Sequence, residues 1–486
     1  MAGPSKGVAT HHPGFDAYAP KWKRCRDVSD GQDAVHKAAT AYLPKLKDET
    51  QVDYDARVKR SNFFNGTWRT LAVLNGMLFR KPPKMSVPAG IEDYLADVDL
   101  AGTSLDTFAR CLALEVLEVG RIGILVDHQP METDDKGNVV AISKAVAEQR
   151  GLRPSLQTYR AECIINWKCR RIRNRYVLAM VVLKESKPEP DGEFAEKQVD
   201  QYRVLDLDAA DQYRVRIFQR IDEKDVQIGG GMYPLMNGAK LDYIPFAIVG
   251  TDGIETALDE PPLIDLVDSN VAHYQINADY RHGLHFTGLP TLFLAGMDPP
   301  TEGSERYYIG SSAAIQASHP DAKASFIEFQ GKGLGELRTA LDALKQEMAM
   351  LGARAIADET KQAETLGATS IKRSGENAIL SSIALAVSEA LEWALGVFAQ
   401  WAGQPGDVEY QLNRDFMPAL MTAQDLLALF AGVQGGHISE REAFDLLQRG
   451  DVIDPEISFE EHQANVEITA PAPARPDVKP GEAVAA

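Results

Sequence analysis

The sequence predicts an α+β fold built around two long helices, and three observations carry the prediction. Leu337, Leu341, Leu344, Met348 and Leu351 fall at steps of four and three, one apolar stripe on a helix. Ile379, Ile383, Val387, Ala390, Ala394, Val397 and Trp401 repeat that spacing further on. Upstream, between Cys163 and Arg220, β-branched and aromatic runs are punctuated by KPEPDG and LDAADQ, the chemistry of turns between antiparallel strands. At 1.5 Å per residue each helix would span roughly 35–40 Å. Between them runs a polar connector, roughly Asp358 to Gly375, whose only large apolar residues are Leu366 and Ile371. Long helices in a compact domain normally join by a short turn, so a connector of this length is expected to be functional.

Composition narrows the function classes. A chain of 486 residues and 53.2 kDa can bury a sizeable core, and 44% hydrophobic with 25% charged residues is ordinary for a globular protein. A net charge of -19 argues against non-specific coating of nucleic acid, which needs cations against the phosphate backbone. It leaves room for a wall along which DNA slides. Four cysteines (Cys25, Cys111, Cys163, Cys169) do not make a disulfide scaffold, so a reducing compartment is expected. The opening MAGPSKGVATHHPGF has no apolar core of a secretory leader. The best candidate for a membrane span, Ile379 to Trp401, is interrupted by Glu389 and Glu392, so a soluble protein without a membrane partner is expected.

In chain order, residues 1–28 are rich in Pro, Gly and Lys and read as an extended arm. Helices are expected over Asp30 to Leu46, Glu49 to Phe64 and Asn65 to Phe79, the last ended by the KPPK turn. Leu105 to Val119 is amphipathic, with Ser104 or Thr103 to cap it and Gly120 to stop it. Strands follow at Ile122 to Asp127, Cys163 to Trp167, Tyr176 to Leu183, Gln198 to Leu207, Tyr213 to Arg220 and Tyr243 to Val249. Pro262 to Phe286 reads as a helix ended by Pro290, and Thr291 to Phe329 as short strands and turns carried between two helices. A strand (Val408 to Leu412), a helix (Ala423 to Ala431) and a helix opened by Ser439 with Glu442 three places on complete the pattern. The Pro/Ala-rich tail is expected to be disordered.

Motifs for chemistry are sparse. No stretch fits a P-loop, a G-x-S-x-G elbow or H-E-x-x-H. GKGLG at Gly331 to Gly335 opens a helix but lacks the context of a dinucleotide site, and reads as a helix entry. His282 and His285 share a helix face without further ligands at suitable spacing. No catalytic residue, metal ligand or cofactor is assigned. Two basic clusters stand out. Lys168, Arg170, Arg171, Arg173 and Arg175 crowd a hairpin turn, as a solvated tip, an intersubunit salt-bridge surface, or a contact to nucleic acid or a partner. Lys372 and Arg373, beside Thr369, Ser370 and Ser374, lie in the long connector, as a helix flank or a functional loop.

Several stretches together resemble the portal proteins of tailed bacteriophages. They are YLPKL (Tyr42 to Leu46), YDARVKRSNFFNGTWRTLAVLNGMLFRKPP (Tyr54 to Pro83), EVLEVGRIGILVD (Glu115 to Asp127), ECIINW (Glu162 to Trp167) with the following LAMVVLKE, and PPLIDLVDSNVAHYQINADYRHGLHFTGLPTLFLAG (Pro261 to Gly296). The likeness covers most of residues 13–400. It implies a ring, usually of twelve copies, at one capsid vertex of the virion, assembled in the host bacterial cytoplasm. Twelve copies at -19 each carry -228, a wall that would keep DNA centred.

By position, the resemblance implies an N-terminal arm (1–28), a wing (29–253) and a first stem helix (254–289). A clip (290–330), a second stem helix (331–357), a tunnel loop (358–375) and a long wing helix (376–402) follow, then a crown (403–465) and a tail (466–486). It further implies that Thr369, Ser370, Lys372, Arg373 and Ser374 face double-stranded DNA in the bore. The partners would be the large terminase, a head–tail adaptor, the major capsid protein and a scaffolding protein. The competing readings are a nucleic-acid-processing enzyme that grips its substrate with the Lys168–Arg175 hairpin, and a capsid or scaffold protein forming shells.

Overall fold

The chain opens with helices, not with an extended arm. The computed structural model describes residues 7–128, 152–221, 224–288, 291–296, 320–327, 331, 333–354, 379–414, 416, 423–435, 437–449, 452–453 and 457–469. Helix α1 spans Pro13–Asp30, which corrects the expectation for 1–28. Its start is well specified: Pro13 takes the first helical position, and His12 Nδ1 accepts the N–H of Gly14 at 3.0 Å. Phe15, Trp22, Cys25 and Val28 bury one face, a spacing that the Pro, Gly and Lys content obscured.

Helix α2 (Gln32–Ala38) passes into a 3₁₀ turn, and α3 (Gln51–Arg60) is capped by Thr50. Helix α4 (Gly66–Leu78) is capped by Asn65, whose Oδ1 accepts the N–H of Trp68 at 2.9 Å. After strand β1 (Lys84–Ser86) comes α5, Leu105–Val119, with Ser104 as cap and Gly120 closing it in the left-handed region at φ 73°. Both ends of α5 fall where the sequence put them.

Two antiparallel sheets follow. Strands β2 (Ile122–His128) and β3 (Pro154–Arg160) form one with β11 (Phe246–Val249), in the order β11-β2-β3. The second is an uninterrupted meander, β4 (Ile164–Ile172), β5 (Arg175–Pro190), β6 (Glu196–Leu207), β7 (Tyr213–Ile221) and β8 (Lys224–Met232). Strands β9 (Leu235–Met236) and β10 (Ala239–Lys240) make a small hairpin. The β4–β5 hairpin closes on two residues, Arg173 and Asn174, at φ 46° and 66°, the mirror-image turn that suits strand twist. Strand β3 lies where the sequence suggested no strand, and β8 escaped notice because KDVQIGGGM carries three successive glycines.

Helix α6 (Ile264–Thr287), strands β12 (Thr291–Ala295) and β13 (Lys323–Ile327), and helix α7 (Leu334–Arg354) come next, β12 and β13 pairing antiparallel. Helix α8 (Ile379–Trp401) is buried more widely than its stripe implied: Leu380, Ala384, Leu391, Leu395 and Phe398 are all inaccessible. It packs on α5 and on β2, β3 and β11. Its buried Ser388 donates to the carbonyl of Ala384 and accepts the N–H of Leu412, so no polar atom there is wasted. Among the described residues it is the one helix long and apolar enough to cross a membrane, and most of it lies inside the fold. Strand β14 (Glu409–Gln411) pairs with β1, so residues 403–414 belong to the first of two compact units, Met1–Arg414. The boundary expected at residue 403 therefore falls later.

The second unit, Asp415–Ala486, contains α9 (Ala423–Gln434), α10 (Glu440–Arg449) and α11 (Phe459–Thr469). Leu429, Ala443 and Leu447 form its small core with Leu426, Val433, Ile438 and Ile453. The capping box at α10 is reciprocal: Ser439 Oγ accepts the N–H of Glu442 at 3.2 Å, and Glu442 accepts the N–H of Ser439 at 2.9 Å. Helix α11 runs through Thr469, past the expected start of the tail at 466; residues 470–486 lie outside the described residues.

Candidate functional site

Helix α6 is fastened to the N-terminal helices along most of its length. Asn270, fully buried, makes the central contact. Its Oδ1 accepts the N–H groups of Gly66 and Thr67, both at 3.0 Å, and the Thr67 hydroxyl at 3.1 Å. Its Nδ2 donates to the Phe64 carbonyl at 2.7 Å. The first N–H groups of α4, which no helix satisfies internally, are thus met by a side chain from another helix. Further along, Tyr274 accepts from the Ser61 hydroxyl at 3.2 Å and Asn277 Oδ1 accepts the N–H of Asn62 at 3.0 Å. Arg57, 2% exposed, forks onto Glu49 at 2.8 and 2.9 Å and donates to the Pro44 carbonyl, with Asp279 of α6 at 3.8 Å. Those hydrogen bonds from Arg57 hold the Glu49 carboxyl below its ordinary value.

Helix α7 runs antiparallel to α6. At one end Leu334 meets Gly283, where a Cβ would sit 2.7 Å from Leu334 Cδ2. Towards the other, Ser269 donates to Glu347 at 3.2 Å. The stripe read from the sequence faces inward, with Leu341 and Met348 buried and Leu337, Leu344 and Leu351 half-buried. GKGLG is the entry to this helix: Gly331, at φ 61°, accepts the N–H of Leu334 on its carbonyl.

The far end of the pair is apolar and, among the described residues, half-exposed. Leu284, Phe286, Phe293, Phe326 and Ile327 are each 43–55% exposed. In the β12–β13 register Leu292 faces Phe326 and Phe293 faces Ser325, so Phe293 and Phe326 stand on opposite faces of the ribbon. A two-stranded ribbon of this kind is marginal in water unless something packs on it. Between the helices at this end lies a cavity of about 330 Å³, lined by Asp279, His282, Phe286, Leu334 and Leu337.

Thr369, Ser370, Lys372, Arg373 and Ser374, with the whole connector from Asp358 to Gly375, lie outside the described residues. The other predicted cluster is brought together. Lys168, Arg170, Arg171, Arg173 and Arg175 are all exposed at one hairpin end. Arg170 pairs with Asp211 at 2.5 Å and Arg173 with Asp242 at 3.7 Å, while Arg171 donates to the Asn174 amide oxygen. Lys168 also borders an open cleft of about 860 Å³ beneath residues 7–13, shared with Trp167, Arg216 and Phe218. His282 and His285 both pack on Phe286, and no group of three metal-ligating side chains occurs among the described residues.

Asn270 and His273 went unrecognised in the sequence. The signal was there: Leu263, Leu266, Val267, Asn270 and Tyr274 keep helical spacing, which makes Asn270 a polar residue on a buried stripe. Burial holds His36, His273 and His282 below the ordinary histidine value, with Lys345 adding to the effect at His273 and Arg60 at His282.

A family model described as a domain of unknown function (DUF4055) matches residues 262–402, from just before α6 to just after α8. No curated protein matches the chain. Similar solved chains occur in the virion of a native gene transfer agent particle, at 13% identity over 85% of this chain and 98% of that one, with a TM-score of 0.40. Others occur in the neck of the empty particle computed with C6 symmetry (13% identity, 84% and 97% covered, TM-score 0.39) and in the neck of the native particle computed with C12 symmetry (12%, 85% and 98%, TM-score 0.39).

Two predictions follow from the anchoring of α6. Asn270→Leu leaves the buried N–H of Thr67 without an acceptor and that of Gly66 with the Phe64 carbonyl alone, at 2.9 Å, and should lower the unfolding free energy by about 2 kcal/mol, read by urea denaturation; an unchanged midpoint would refute the role given to this amide. Acidification should act at the histidines. Their folded values lie below 6.5, so the unfolded chain binds more protons in that window. Stability therefore rises with pH there and is lost as pH falls below about 6.5. Thermal midpoints between pH 7.5 and 5 should show the decline, and His273→Gln should flatten it.

Proposed function

We propose that the chain is a portal subunit: copies of it close into a ring at one capsid vertex, and double-stranded DNA passes through the ring during filling and ejection. The observation that carries this reading is the free end of the α6–α7 pair. A helix pair fastened at its base ends in a ribbon with aromatic residues on both faces, half-exposed in a single copy. Such a ribbon needs neighbours on two sides, which a ring of identical subunits supplies. The stretches quoted above as resembling portal proteins include α6 and its approach to the ribbon.

On this reading the acidic wall repels phosphates and keeps DNA mobile, while a few loop cations make brief, salt-sensitive contacts. Lys372 and Arg373, with Thr369, Ser370 and Ser374, are assigned to those contacts. The chain itself does no catalysis. The large terminase supplies ATP hydrolysis and docks on the 290–330 region, giving way to a head–tail adaptor, while the major capsid protein and a scaffolding protein surround the ring.

Mass photometry tests the ring. Twelve copies of a 53.2 kDa chain give about 640 kDa, and a single subunit under all assembly conditions would sink the reading. It also separates the ring from a processing enzyme, expected as a small assembly. The double variant Lys372→Ala, Arg373→Ala should leave rings intact while changing DNA packaging or retention, measured as DNA per particle; unchanged values would remove these residues from the bore.

A further inference from the structure

Strand β5 joins two hairpin ends of opposite character. Its first residue, Arg175, belongs to the basic β4–β5 end with Lys168, Arg170, Arg171 and Arg173. Its last, Pro190, leads into the β5–β6 end, which carries Glu189, Asp191, Glu193 and Glu196. At about 3.3 Å per residue the sixteen residues of β5 hold the two ends up to about 50 Å apart. Each end displays one aromatic side chain almost fully to solvent, Tyr176 at 81% and Phe194 at 94%.

Neither end is neutralised by the described residues of its own chain. At the basic end Arg170 and Arg173 have carboxylate partners, but Lys168, Arg171 and Arg175 have none among the described residues. At the acidic end Lys197 lies 4.0 Å from Glu189, while Asp191, Glu193 and Glu196 make no ion pair among the described residues. Exposed charges alone are ordinary. Opposite charge at the two ends of one strand, each with a protruding aromatic ring, is the composition of a contact between protein surfaces, where arginine and aromatic residues are enriched.

We infer that these ends are the two halves of one contact between successive copies of this chain, the basic β4–β5 end of one copy seated against the acidic β5–β6 end of the next. The inference rests on the ring reading above and gives it a register. Because the two patches differ, the contact is head-to-tail, the kind that closes into a ring when the rotation between copies permits. Duplex DNA is the competing occupant of the basic end. It leaves the acidic end and Phe194 without a use.

The test uses the full chain in three forms: Arg171→Glu with Arg175→Glu, Asp191→Lys with Glu193→Lys, and all four together. These side chains are exposed and have no carboxylate or cation partner among the described residues, so unchanged thermal midpoints are expected and check that each form folds. Either reversal alone should raise the concentration for half-assembly by about tenfold or more, less so at high salt, and the four-fold swap should return it to within about threefold of the unaltered chain. Reversals that assemble like the unaltered chain, a swap that fails to restore assembly, or a basic-end reversal that weakens only duplex binding would each overturn the inference while leaving the ring in place. An unaltered chain that never assembles would instead overturn the ring, and this contact with it.

Discussion

A single buried amide decides where the long helices point. Asn270 satisfies two backbone N–H groups of α4, accepts a hydroxyl and donates to the chain entering that helix. Apolar contact between helices tolerates sliding and rotation. A side chain that must meet four partners in a dry crossing does not, because each lost partner leaves a desolvated polar group. The direction of α6, and of α7 packed along it, is therefore set by hydrogen-bond geometry. Gly66 and Gly352 allow the close approach: a Cβ on either would press on Met348 or Thr70.

A second polar junction ties the N-terminal helices to the sheets. Arg26 of α1 meets Glu115 and Glu118 of α5 and Glu162 ahead of β4. Arg160 also pairs with Glu115, at 3.2 Å, so three carboxylates share two guanidinium groups and an excess negative charge remains in a largely buried place; burial pushes the Glu118 carboxyl upward. Such clusters seldom add much net stability over an apolar core, but removing Arg26 leaves Glu118 and Glu162 uncompensated. Their effect is on specificity: α1 packs on α5 in one arrangement. The expectation of an extended arm failed here because composition was weighed over 28 residues, whereas the fold answers to the spacing of Phe15, Trp22, Cys25 and Val28 and to a histidine cap.

What the sequence disclosed follows from where information is local. Helix α5 was legible to the residue because its cap, stripe and terminal glycine all lie within it. The β5–β6 and β6–β7 hairpins were legible through their turns, KPEPDG and LDAADQ. Strand β3 was not, since it owes its place to pairing with β2 and carries little alternation of its own. The breadth of burial around α8 was likewise hidden. Leu380, Leu391, Leu395 and Phe398 lie off the single stripe, and with the alanines and serines beside them become core only when α5, β2, β3, β11 and β14 close over them. Of the candidate site, the basic hairpin was visible as a charge run. Its acidic counterpart was legible only as a turn, because nothing local says that the two are ends of one strand.

That last point bears on how an acidic chain assembles. With a charge of -19, like copies repel at long range. Association then requires contacts that concentrate the few cations where they face carboxylates, and apolar surface that repays the approach. The chain keeps both away from its centre. The aromatic ribbon lies at the end of α6 and α7, and the arginine-rich turn lies at the end of β4 and β5. On the ring reading proposed above, attractive groups placed at the ends of these elements would let a closed assembly present mostly negative charge to a polyanion while contacts between copies stay attractive. On the same reading, contacts between copies through exposed ion pairs are weakened by salt, which screens them over roughly 10 Å at 0.1 M, whereas the buried hydrogen bonds of Asn270 are not.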